Sequence, residues 1–188
     1  MATGPLLALA GGVGGARLAR GLAQVLGPDE LAVAVNVGDD FEHLGLAISP
    51  DLDTVMYTLA GVVNPETGWG RADESWNFMQ ALGELGGATW FRLGDRDLAV
   101  HVERSHRLRA GEPLSAITAD LCTRLGVRHP VLPATDAPLR TRVRTDAGEL
   151  DFQDYFVRQQ CRPVVRGLRY EGAATAAPSA PLARLLAS

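Results

Sequence analysis

Cysteine is scarce in this chain of 188 residues: Cys122 and Cys161 are the only two, and neither stands in a CxxC spacing. A disulfide framework and a zinc knuckle are therefore not expected. Lysine is missing altogether, so all 18 basic residues are arginines, and they are outnumbered by 22 acids to a net charge of −4. That balance offers no positive field for nucleic acid or an anionic lipid surface. No apolar run is long enough to span a bilayer, and Pro5 to Ala10 runs straight into glycines without the basic start of a secretory leader. A soluble, cytoplasmic protein is expected. Hydrophobic residues at 46% and charged residues at 21% support a packed core and exclude disorder. The length suits one domain. Arginine without lysine fits planar recognition of phosphates or carboxylates, and equally a GC-rich genome.

The apolar run Leu6 to Ala10 ends in Gly11-Gly12-Val13-Gly14-Gly15, as a buried parallel strand would. Leu18, Leu22, Val25 and Leu26 follow at helical spacing until Gly27-Pro28 stops them. Leu31 to Val37 reads as a second strand, ending at Gly38-Asp39-Asp40. Strand, glycine loop, helix and strand make the βαβ unit of a doubly wound sheet. The fold expected is a Rossmann-like three-layer α/β/α domain over residues 1–170, with a mostly parallel sheet and a small hairpin-containing insertion.

Helices are expected from Pro50, around Ser75 to Leu85, from Leu98 to Leu108, and from Leu114 to Leu125. A short strand is expected at Val131-Leu132. The alternation of Leu139 to Thr145 predicts another, with a hairpin partner at Leu150 to Phe156 and one more strand at Val164 to Tyr170. Residues 171–188, rich in Ala and Pro, are expected to form a poorly ordered tail.

Three polar constellations stand at expected strand ends or helix starts. The glycine turn, Gly11, Gly12, Gly14 and Gly15, lies where glycines let backbone approach a phosphate and a helix N-terminus offers free N–H groups. The spacing is neither GxGxxG, since Arg17 takes the third glycine's place, nor a Walker loop, and a purely structural turn is the competing reading. Arg17 is positioned to add charge to a phosphate, or to be solvated. Asp39 and Asp40 sit past the second strand, and Asp51 and Asp53 follow after one loop. Carboxylates converging on a phosphate require a cation, and magnesium is the expected one, held by Asp39 with Asp51 or Asp53. The competing reading is helix capping by Asp51 or Asp53 and a solvated turn at Asp39-Asp40. The third constellation is Asp95-Arg96-Asp97 with His101 one helical turn on; Asp97 alone reads best as a helix cap, and Arg96 as a phosphate or acid partner. His43 is within reach of a substrate in the loop after Asp40. Trp69, set between glycines, is the tryptophan best placed to meet a polycyclic ligand, although tryptophans are more often core.

Taken in order, Gly11-Gly12-Val13-Gly14-Gly15-Ala16-Arg17, Asn36-Val37-Gly38-Asp39-Asp40, Ser49-Pro50-Asp51-Leu52-Asp53-Thr54 and Leu93-Gly94-Asp95-Arg96-Asp97 resemble the 2-phospho-L-lactate transferases, described in bacteria as phosphoenolpyruvate transferases. The resemblance runs on through His101, Arg104-Ser105 and Phe152-Gln153-Asp154-Tyr155. It implies a magnesium-dependent transferase of deazaflavin coenzyme biosynthesis. Such an enzyme moves a phospholactyl or phosphoenolpyruvyl unit from a guanosine diphosphate ester to the ribityl hydroxyl of a deazaflavin precursor, releasing GMP. It further implies a homodimer, a diphosphate cradled by the glycine turn and Arg96, and a substrate met by Asp40, His43, Asp95, Asp97 and His101. Asp39 or Asp53 would be the catalytic carboxylate. Family members are longer, with a second half that helps complete the nucleotide site. A non-catalytic nucleotide-binding module is the alternative expectation. An NAD-dependent oxidoreductase fits less well, given the glycine spacing and the doubled Asp39-Asp40.

Overall fold

The computed structural model describes residues 4–187. Its centre is a parallel sheet in the order β1-β2-β5, from β1 (Leu6–Ala10), β2 (Leu31–Val35) and β5 (Val131–Pro133). β2 is Leu-Ala-Val-Ala-Val and buried at every position, as a central parallel strand with both faces covered should be. Leu6, Ala8 and Ala10 share one sheet face with Leu31, Val33 and Val35, because register and alternation place them side by side. Onto this face pack α1 (Gly12–Ala23), α2 (Pro50–Ala60) and α5 (Leu114–Arg124), through Ala16, Ala19, Val55, Met56, Ile117 and Leu121. Each fully buried aliphatic side chain contributes roughly 1.5–3 kcal/mol relative to exposure. Gly15, in the first turn of α1, allows the closest approach: a Cβ there would stand 2.8 Å from the Ala10 Cα.

The α/β/α expectation holds, with short antiparallel additions. One is a hairpin of β3 (Phe41–His43) and β4 (Leu46–Ile48), in a region read from sequence as a loop. Its two-residue turn, Leu44-Gly45, has positive φ at both positions, 53° and 72°. A leucine is a poor signature for such a turn, which normally takes Asn, Asp or Gly, so the hairpin left little trace in the sequence. Helices α3 (Asn77–Glu84) and α4 (Asp95–Arg109) follow. A second antiparallel sheet orders β7 (Gly148–Asp151), β6 (Arg140–Thr145) and β8 (Val165–Glu171). The expected hairpin partner of β6 is shorter than Leu150 to Phe156: β7 ends at Asp151, and a π-helical turn, Asp154–Arg158, follows.

The stretch 171–188 is not a loose tail throughout, because α6 (Ala180–Leu186) lies within it. Leu182 is buried, the Ser179 hydroxyl donates to the Pro133 carbonyl at 2.6 Å, and the Ser179 amide donates to Ala134. The anchoring side chains are a single serine and a single leucine, too few to stand out in a Pro/Ala-rich run. Among the described residues no helix is long and apolar enough to cross a membrane.

Candidate functional site

The carboxyl ends of β1 and β2 meet the first turns of α1 and α2. Gly11 is the N-cap of α1, and Gly12 already belongs to the helix at φ 51°. The glycine turn is thus largely the helix's first turn, with Gly14 open on its outer side. Gly11 and Gly12 let a carboxylate close in: a Cβ on Gly11 would lie 3.0 Å from Asp51 Oδ2, and one on Gly12 3.5 Å from Asp51 Oδ1. Asn36 fixes that carboxylate. Its Nδ2 donates to Asp51 Oδ2 at 2.9 Å, while its Oδ1 accepts from the Gly38 amide at 2.9 Å. The Gly38 carbonyl in turn accepts from the Thr141 amide at 2.6 Å, tying the loop to β6.

Asp39 stands in this loop. Burial first, and repulsion from Asp51 second, raise its pKa to about 6, against the pull of a Thr141 hydrogen bond. The two carboxylates therefore share one field at the helix N-terminus. Arg17 is exposed, and its guanidinium lies beside Gly68 of the loop between α2 and α3. Next to Gly68, Trp69 is 56% exposed, not core.

Asp53 does not join this group. Two residues beyond Asp51, it turns into the interior and is gripped by both ends of the Arg104 guanidinium, Nη1 to Oδ2 at 3.1 Å and Nη2 to Oδ1. Arg104 is 1% exposed and also reaches the Ala47 carbonyl of β4. Burial works against its charge, but Asp53 raises its pKa, so the guanidinium stays charged. His101 Nδ1 lies 3.7 Å from Asp53, and its Nε2 lies 3.3 Å from Asp97, without the alignment of a hydrogen bond. The Tyr57 hydroxyl donates to Asp97 Oδ1 at 2.6 Å. The ligand atoms of Asp53, Asp97 and His101 lie within 4.8 Å of one another, a spacing a cation could use. Here Arg104 already neutralises Asp53, and a second cation beside a buried guanidinium would be repelled. The set reads as an ion-paired core.

Neither Asp51 nor Asp53 caps α2: Ser49 is the N-cap residue, and both aspartates lie in the first turn. Asp97 does not cap α4 either, since Gly94 holds that position. The cap comes from outside the helix. The Glu74 carboxylate accepts from the amides of Arg96, at 2.7 Å, and Asp97, at 2.8 Å. Asp95 serves the neighbouring helix, accepting from the Ser75 hydroxyl at 2.7 Å and from the amides of Asn77 and Phe78 at 3.0 and 3.1 Å. These bonds, led by Ser75, lower its pKa to about 2. The Arg96 side chain is exposed.

Asp40 is buried, accepts from the Ser49 hydroxyl at 2.8 Å, and is raised by burial to about 7. His43, in β3, is buried against Trp90, Phe91 and Phe41, with ring centroids at 5.0, 5.8 and 6.2 Å. Burial lowers its pKa, against the pull of a hydrogen bond with the Phe91 backbone. Of the residues singled out in the sequence, the fold gathers Gly11, Gly12, Gly14, Gly15, Arg17, Asp39 and Asp51. It places Asp53, Asp97 and His101 in a buried network, Asp40 and His43 under the hairpin, and Asp95 and Arg96 at helix ends. Asn36, Thr141, Glu74 and Arg104 carry parts of this geometry that sequence reasoning did not assign. Asn36 and Arg104 had a visible signal, one ending a strand beside Gly38-Asp39, the other one turn beyond His101.

Known proteins match most of this chain's length. A phosphoenolpyruvate transferase of Kitasatospora aureofaciens is 47% identical over 180 residues, covering 93% of this chain and 56% of the relative. Enzymes of the same name from Streptomyces coelicolor and Nocardia farcinica are 45% and 43% identical, and the chain covers 56% and 59% of their lengths. The chain thus spans somewhat more than half of the curated relatives it matches. A crystal structure of a member of the upf0052 family from Bacillus halodurans superposes with a TM-score of 0.61 at 17% identity, covering 99% of this chain and 56% of that one, and supports the fold. The description "2-phospho-L-lactate transferase CofD" matches residues 6–187, nearly the whole length, and the chain belongs to that family.

Proposed function

We propose that this chain carries the diphosphate- and cation-binding part of a transferase that moves a phospholactyl or phosphoenolpyruvyl group from its guanosine diphosphate ester to a deazaflavin precursor, releasing GMP. The observation that carries the reading is the pairing of Asp39 with Asp51 beside Gly11 and Gly12, at the carboxyl ends of β1 and β2. Ligands of open α/β sheets bind at such strand ends. A carboxylate whose proton affinity is raised by a carboxylate neighbour, as Asp39's is by Asp51, is short of a cation, and a diphosphate brought to it is short of one as well. Asp39 and Asp51 are the residues that would hold magnesium; Asp53, saturated by Arg104, does not fit that role. Bound there, magnesium offsets charge on the diphosphate as the phosphorus–oxygen bond to GMP breaks.

The chain's own residues do the rest. The free N–H groups at the start of α1, open at Gly14, receive phosphate oxygens. Arg17 adds a positive charge one turn along. The acceptor hydroxyl oxygen bonds to the phosphorus that bears the lactyl or enolpyruvyl unit, and the bond from that phosphorus to the bridging oxygen breaks. The electron pair leaves with GMP, and the hydroxyl proton passes to a carboxylate oxygen of Asp39 that a bound cation would leave free. Asn36 holds Asp51 in place through the transfer.

Turnover with purified chain, magnesium, deazaflavin precursor and guanylated donor tests this reading, with GMP and the phosphorylated deazaflavin resolved by mass. Product lost on omission of magnesium supports it. Donor binding that is indifferent to magnesium, without product, would favour a nucleotide-binding module instead.

A further inference from the structure

At the end of the domain opposite the glycine turn, the last turns of α1 and α2 and the connection from α5 to β5 enclose a cleft of about 340 Å³. Small-molecule sites run from about 300 to 1,000 Å³, so this one suits a small ligand. The charges in its lining are of one sign: Arg20 from α1, and Arg128 beside His129 in the connection. No acid lines it, in a chain whose acids outnumber its arginines 22 to 18. Arg20 and Arg128 are both exposed, and neither has an acid partner among the described residues.

Basic residues gather in last helical turns because the carbonyls there carry partial negative charge, and Arg20 meets that need for α1. Arg128 does not: it lies beyond Leu125, the C-cap of α5, and Arg124 already occupies that helix's last turn. A buried hydroxyl points the same way. Thr58 of α2 lines the cleft and is 5% exposed, yet its hydroxyl has no hydrogen-bond partner among the described residues. Thr54, one turn earlier on the same helix, donates to the Pro50 carbonyl at 2.8 Å. His129 Nε2 lies 2.9 Å from the Leu26 carbonyl; a carbonyl only accepts, so that nitrogen carries the proton and Nδ1 is left for another partner.

We infer that this cleft binds the phosphate group of a small molecule, held by the guanidiniums of Arg20 and Arg128 and by the Thr58 hydroxyl. Two planar forks and a hydroxyl match an anion with three or more acceptor oxygens, where a lone carboxylate would leave donors unused. The inference does not depend on the transferase reading. Along the axes of α1 and α2 the cleft stands about 10–12 Å from Gly12 and Asp51, and the two places share no side chain.

The test titrates the chain, freed of divalent metal by chelator, with inorganic phosphate and follows its backbone amides by nitrogen-15 NMR. Saturable shifts at Gly61, Gly126 and Arg128 are expected, with a midpoint of about 10 mM or below, and sodium chloride at equal ionic strength should not reproduce them. Arg20→Ala combined with Arg128→Ala, at two exposed positions, should keep the circular dichroism and weaken binding about tenfold or more. Thr58→Val, which removes the hydroxyl and keeps the shape, should weaken it about threefold or more. Arg124→Ala, outside the cleft, should leave binding unchanged and controls for loss of positive charge. Glycerol 3-phosphate binding more tightly than inorganic phosphate would identify a monoester as the occupant, and the reverse order would identify free phosphate. Shifts confined to residues 11–15 would overturn the inference, as would an equal response to chloride or binding that survives the double variant.

Discussion

Asp51 and Asp53 stand two residues apart in the first turn of α2, about 200° around the helix axis, and they meet opposite surroundings. Asp51 faces Gly11, Gly12 and Asp39, with Asn36 as its hydrogen-bond partner and another carboxylate nearby. Asp53 faces α4, where Arg104 takes both its oxygens and little solvent reaches it. The first is a carboxylate left short of positive charge at a strand end, the second a carboxylate used up in holding α2, α4 and the hairpin together. Acidic residues close in sequence thus divide, by the helix face they occupy, into one beside the glycine turn and one ion-paired in the core.

The sharpest way to break this comparison is to remove each acid in turn. Asp53→Ala leaves Arg104 buried and unpaired and should cost about 3–5 kcal/mol in urea unfolding, at the edge of what a small domain tolerates. Asp51→Ala should leave stability nearly unchanged. Equal unfolding of the two variants would overturn the division.

Asp40→Asn tests the buried neighbour of the ion pair. Folding raises its pKa from 3.8 to about 7, so the stability tied to its protonated form is complete below pH 4 and lost as pH rises through 7. The variant should match the parent near pH 4 and exceed it by roughly 2–4 kcal/mol at pH 8, since each tenfold change in proton affinity is worth about 1.4 kcal/mol. Its amide oxygen can still accept from Ser49. Denaturation curves at the two pH values would settle the sign.

Asp39→Ala should reduce magnesium-dependent turnover, or magnesium affinity measured by calorimetry, about a hundredfold or more, a difference near 2.7 kcal/mol. Its stability above pH 6 should not fall, because burial and Asp51 already disfavour the charged form. A fully active variant would remove Asp39 from the site. The smallest effect expected is on packing. Gly15→Ala places a methyl group against the Ala10 backbone and should cost about 1–2 kcal/mol by thermal melting. A neutral result would show that α1 slides freely on β1 and that the glycine turn is not held by that contact.

Much of the fold was legible because its signals are local. The apolar runs Leu6 to Ala10 and Leu31 to Val37, the glycines between them and the alternation at Leu139 to Thr145 each mark an element within a few residues. The Leu44-Gly45 hairpin and α6 were not legible, one because a leucine occupies a turn position that usually takes Asn, Asp or Gly, the other because one buried leucine and one serine anchor it. At the site, the sequence singled out Asp39, Asp51 and the glycines, but it could not separate Asp51 from Asp53 or free Asp95 and Asp97 for any one role. Those assignments depend on Arg104, Asn36, Glu74 and Ser75, which lie up to 51 positions away along the chain from the acids they meet.

By itself, then, the sequence determined the order of strand and helix, the glycine turn between β1 and α1, and the presence of carboxylates at the ends of the strands, since periodicity, chain reversal and residue chemistry are properties of neighbours. Only the tertiary structure decided which carboxylates remain short of positive charge and which are neutralised, because burial and ion pairing are set by residues brought together from distant parts of the chain.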